Sequence, residues 1–122
     1  MTEWMLTTAG LVALVGALIH GLVGGRIYMQ KINLGNLPAL TKSLSLVAWH
    51  MFTIFLLVCA ITLFYVANNP VFEAAAYPLI AANFIGSILF IGLGLTGHGH
   101  LLRMPGAYLM GATAILGWLG LS

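Results

Sequence analysis

The stretch WMLTTAGLVALVGALIHGLVGGRIYM, Trp4 to Met29, decides the fold. From Trp4 to Gly25 it carries no Lys, Arg, Asp or Glu. A helix that crosses a bilayer needs about 20 mainly apolar residues, and this stretch supplies them. A cleaved signal peptide has a basic start and a shorter apolar core. Here the opening Met1-Thr2-Glu3-Trp4 is acidic and the run is long, so a retained span is expected.

Outward from this stretch the pattern repeats. Gln30, Lys31, Asn33, Gly35 and Asn36 form a polar loop, and Pro38 suits the first position of a second helix, where its missing N–H costs nothing. That helix is expected to reach Ala67 and stop at Asn68-Asn69-Pro70. Val71 to Tyr77 reads as an interfacial connection, Pro78 opens a third span running to about Leu102, and Pro105 opens a fourth over about residues 104–121. The expected fold is an all-α integral membrane protein, residues 1–122 forming one four-transmembrane-helix bundle with spans 4–29, 38–67, 78–102 and 104–121. Short loops make sequence neighbours antiparallel.

Composition agrees. Charged residues make up 5% of the 122, against about a quarter in an ordinary soluble domain. Too few polar groups remain to cover a water-facing surface. The mean hydropathy of +1.09 points to lipid as the solvent. A net charge of +2 is too small and dispersed for a nucleic-acid footprint. The single cysteine, Cys59, forms neither a disulfide framework nor a CxxC metal site.

The few charges orient the chain. Arg26, Lys31 and Lys42 flank the first loop and Arg103 lies in the third, whereas Glu3 and Glu73 lie at the opposite helix ends. By the positive-inside rule the basic side is cytoplasmic, leaving both termini outside an inner, cytoplasmic membrane. Small residues recur every four positions at Ala9, Ala13, Ala17, Gly21 and Gly25, and again on the later spans. Such stripes let helix backbones approach closely in lipid, and a flat cofactor against a helix asks for the same smallness.

Four histidines among so few ionisable groups are the most informative feature. Ionisable residues within a membrane are costly and usually face a bundle interior or a functional site. His20 lies about 9 Å of helix rise from Arg26, and His50 about 12 Å from Lys42, so the two sit at similar depth on adjacent helices. Gly16-x-x-x-His20-Gly21 and Gly94-x-x-x-His98-Gly99, each followed by an arginine, suggest a weak parallel repeat of helical hairpins.

A b-type haem meets these features. Its iron takes axial imidazoles, its ring needs bare helix surface, and its propionates need cations. His20 and His50 are the expected axial pair, with His20 and His98 as an alternative. Gly16 and Gly24 would clear space, Arg26, Lys42 and Arg103 would meet the propionates, and Trp49, Phe52 and Phe55 would pack on the ring. A chlorophyll-type pigment follows the same logic with one histidine per magnesium. The architecture is similar to four-helix membrane b-type cytochromes and to haem-bearing anchor subunits of quinone-linked dehydrogenases, a resemblance of architecture alone.

Competing expectations remain. His98-x-His100 at a helix end, joined by His20 or His50, could supply imidazoles to a divalent metal. A proton or transport path could use the histidines with Ser43, Thr53, Ser87, Thr96, Thr113 and Asn83, although no span is visibly broken as many transporter sites require. Finally, the chain could be a non-catalytic accessory or scaffold subunit, gripping a homo-oligomeric partner or larger membrane complex through its helix faces. Hydrolytic chemistry has no support: there is no Asp, and both Glu residues lie away from the histidines. No phosphate-binding loop and no alternating membrane-strand pattern occurs.

Overall fold

A computed structural model describes residues 1–122. The chain is all-α, with no strand. Helix α1 spans Glu3–Leu34, α2 spans Ala39–Asn68, α3 spans Ala76–Leu95 and α4 spans Pro105–Leu121. Short 3-10 segments, Pro70–Ala75 with a kink at Phe72 and Gly99–Arg103, lead into α3 and α4. Three stretches, Glu3–Leu34, Ala39–Asn68 and Pro70–Leu95, are long and apolar enough to cross a membrane, and α4 is shorter at 17 residues.

The helix ends show where residue chemistry overrides a count of apolar residues. α1 continues past Met29 because Gln30, Lys31 and Asn33 tolerate helix, and it stops where Gly35 turns extended before Pro38. Lys42 Nζ then donates to the Asn33 carbonyl at 2.7 Å, satisfying one of the helix's last acceptors. In the other direction, α3 ends at Leu95 and not near Leu102. Gly97 adopts φ +117, a conformation that L side chains rarely enter, and it turns the chain out of the helix. His98 therefore lies in a turn while His20 lies within a helix, so the hairpin repeat does not extend to local structure.

Within α1 the segment Ile19–Met29 is π-helical. It contains Gly21, Gly24 and Gly25, whose missing side chains weaken the ordinary α-helical preference. π-Turns are rare and concentrate at functional sites.

The helices pack in the order α2, α1, α4, α3. α1 contacts α2 and α4 extensively, α4 contacts α3, and α2 meets α3 only sparingly. One core lies at the end bearing the chain termini, where Leu6, Leu63, Val66, Ala76, Ile80 and Ala114 cluster. Glycine makes that closeness possible: a Cβ on Gly120 would lie 2.7 Å from Leu6 Cγ. The termini are latched there, with Thr2 N–H donating to the Gly120 carbonyl at 2.7 Å. Only 25 residues are buried, while Leu22, Ile61 and Ile85 are each more than 60% exposed. The protein is apolar outside as well as inside.

Candidate functional site

At the other end, which carries Arg26, Lys31, Lys42 and Arg103, the sparse α2–α3 seam leaves a cavity of about 640 Å³. α1 lines it from Val12 to Tyr28, and Trp49, Phe52, Asn83, Phe90 and His100 contribute from the remaining chain. Volumes of about 300–1,000 Å³ with mostly apolar walls and a few polar groups are typical of cofactor and ligand sites.

His20 is the best-fixed polar group on this wall. The Trp49 ring stacks on its imidazole at 4.1 Å between centroids and 15° between planes, and Phe52 meets it edge-on at 4.9 Å. Trp49 Nε1–H also donates to the His20 carbonyl at 3.1 Å. His20 Nδ1 lies 2.9 Å from Thr53 Oγ1, and that hydroxyl reaches the Trp49 carbonyl at 3.3 Å. With the hydroxyl proton on the carbonyl, Thr53 accepts from Nδ1–H, and the Nε2 lone pair is left for a ligand.

The other expected residues fall in three places. Gly16 lines the cavity with only ordinary contacts, 3.9 Å from Leu56 and Leu109 to a would-be Cβ. Gly24 also lines it, but its smallness serves Trp49, whose Cζ2 would lie 2.7 Å from an added Cβ. His100 shares the cavity with His20. His50 does not: with Arg26, Gln30 and Asn33 it lines a separate groove of about 470 Å³. His98 and His100 lie 6.1 Å apart, ring to ring, in the turn before α4, and Arg103 closes that turn on the exposed surface. No three His, Cys, Asp or Glu residues gather as a metal-binding group.

The proposed polar path is largely spent on backbone. Thr96 donates to Gly92, Thr113 to Leu109, and Ser87 across the α3–α4 contact to Ala107 at 2.7 Å. Asn83 differs. It is fully buried, its Nδ2 donates to the Leu79 carbonyl at 2.9 Å and to Cys59 Sγ at 3.3 Å, and its Oδ1 has no partner. Sequence reading names Asn83 only as one polar group among several. The Trp49–His20 stack carries no sequence signature, since it depends on the π segment and on Gly24.

No protein family, no curated protein and no solved structure matches the chain.

Proposed function

We propose that the chain is an integral membrane protein whose four helices form an antiparallel bundle holding haem b for electron transfer within the bilayer. The observation that carries this reading is His20. Its ring is held by Trp49, Phe52 and Thr53 on the wall of a cofactor-sized apolar cavity, with Nε2 not engaged by the protein. Neutral imidazole fixed through its other nitrogen is the form that ligates iron. His100 lines the same cavity, so His20 with His100, in place of His50, would hold the iron. When bound, haem supplies one-electron chemistry. The chain's own residues would fix the ligand and keep the pocket apolar, whereas no Lys or Arg lines it and Arg26 opens onto the His50 groove.

The apolar exterior supports insertion in lipid, and the single basic end supports an orientation with that end cytoplasmic and both termini outside. The exposed helix faces suit a second copy or a larger membrane complex. The test is a visible spectrum of gently purified protein before and after dithionite. A sharp Soret band with resolved α and β bands on reduction, lost in His20→Ala, is expected. A colourless, iron-free preparation overturns the haem reading.

A further inference from the structure

We infer that the groove between α1 and α2 that holds Arg26 and His50 is a binding site for one anionic phospholipid, its phosphate on the Arg26 guanidinium. This rests on the membrane reading above and does not require haem. The groove, about 470 Å³, is separate from the cavity of His20, and its polar lining is Arg26, Gln30, Asn33 and His50. All four residues are exposed. Ionisable groups on a membrane helix are costly unless paired, and this chain offers Arg26 no counter-ion. Its only carboxylate side chains are Glu3 and Glu73. Glu3 opens α1, about 30 Å of helix rise from Arg26, and Glu73 follows the far end of α2. The C-terminal carboxylate sits at that far end too, where Thr2 is bonded to Gly120. A second copy inserted in the same orientation carries its acids to the same far end and leaves Arg26 equally unpaired. The partner that Arg26 calls for is therefore an anion from outside the protein.

The lining suits a phosphate that carries a tail. A guanidinium meets phosphate oxygens through two parallel N–H donors. Gln30 and Asn33 follow Arg26 at helical spacing toward the end of α1, and their amides can meet the rest of a headgroup. Lys42 does not compete for it, because its ammonium is bonded to the Asn33 carbonyl at 2.7 Å. His50 lies on the bilayer-centre side of Arg26, since it follows Trp49, which packs against Gly24 and Gly25. The glycerol esters of a phospholipid lie deeper than its phosphate, and a neutral imidazole has one N–H to donate to an ester carbonyl. Gly21 and Gly25 leave the floor of the groove bare, and Leu22, Met29 and Leu46 give apolar walls for an acyl chain. A free inorganic anion has no use for those walls, and a nucleotide base finds no aromatic lining there besides the imidazole. A zwitterionic headgroup would bring its own cation to an end that already carries Arg26, Lys31 and Lys42 without a carboxylate. The site is thus selective for a lipid of net negative charge.

The experiment is native mass spectrometry of the full chain, delipidated in detergent and titrated with phosphatidylglycerol or phosphatidylcholine of matched acyl chains. Wild type is expected to bind one phosphatidylglycerol about fivefold tighter than phosphatidylcholine, the factor that one cation near an anionic lipid supplies. Arg26→Gln is expected to erase the preference. Lys31→Gln removes the same charge from the same end but outside the groove, and is expected to keep it. Equal binding of the two lipids by wild type overturns the proposal without recourse to any variant. Equal losses in the two variants overturn it as well, because a diffuse basic surface does not distinguish the two positions. Displacement of the lipid by inorganic phosphate assigns the groove to a soluble anion and overturns the lipid as its occupant. The lipid is counted by mass whether or not the preparation is coloured, so failure of the haem reading and failure of this site are separate results. A chain that stays in solution without detergent overturns the membrane reading on which the site rests.

Discussion

Trp49 and His20 hold each other twice: their rings stack at 4.1 Å, and the indole N–H donates to the His20 carbonyl at 3.1 Å. The two contacts fix both the ring and the π-helical backbone that carries it. An orienting partner of this kind lets a histidine present one defined nitrogen. His50, by contrast, opens onto a different groove beside Arg26.

The histidines should therefore respond differently to substitution. His20→Gln is expected to abolish haem retention, and His50→Gln to leave it nearly unchanged. Haem-to-protein ratio, from absorbance and iron content of purified protein, checks both. Equal losses in the two variants would point back to His20 and His50 as the residues that would hold the iron.

Trp49→Phe keeps a ring but removes the N–H donor. Losing that hydrogen bond should cost about 1 kcal/mol and broaden the environment of His20. Thermal unfolding in detergent reads the first effect. The line widths of the labelled imidazole in an NMR spectrum read the second.

The glycines beside the cavity make a matched pair. Gly24→Ala puts a methyl 2.7 Å from Trp49 Cζ2, and overpacking of this sort costs about 1–3 kcal/mol. Gly16→Ala meets its neighbours at 3.9 Å and should change stability by less than about 0.5 kcal/mol. Comparable destabilisation of both variants would count against the Trp49 placement.

Gly97→Ala forces a side chain into φ +117, and strain of that type costs about 1–3 kcal/mol. The damage should be local to the turn holding His98 and His100. Faster hydrogen exchange over residues 96–103, with α1 and α2 unchanged, is the expected pattern.

Ser87→Ala removes a buried bond from one helix to another, Ser87 to the Ala107 carbonyl. Such bonds between membrane helices average about 0.6 kcal/mol, so a small drop in unfolding free energy is expected. No change in cavity binding should accompany it.

The helices were legible because apolar length and punctuation agree: Pro38, Asn69-Pro70 and Pro105 fall at element boundaries. Where length alone was the guide, the ends moved. Gln30 to Leu34 extended α1, since polarity does not itself break a helix, and Gly97 cut α3 short through its backbone conformation. His20 stood out by its cost in lipid. Its separation from His50 did not, because matched depth says nothing about which side of a helix seam a side chain faces. Asn83 was harder still, its meaning lying in one atom left unpaired after two donations.

The order α2, α1, α4, α3 makes the first and last helices neighbours, with Thr2 bonded to Gly120. During synthesis α1 therefore gains its second wall only once α4 has been made. A product truncated before Pro105 lacks Leu109, Met110 and Thr113 and so lacks that wall of the cavity. The cavity is thereby tied to the presence of α4, and a copy without it leaves that face of α1 unpaired.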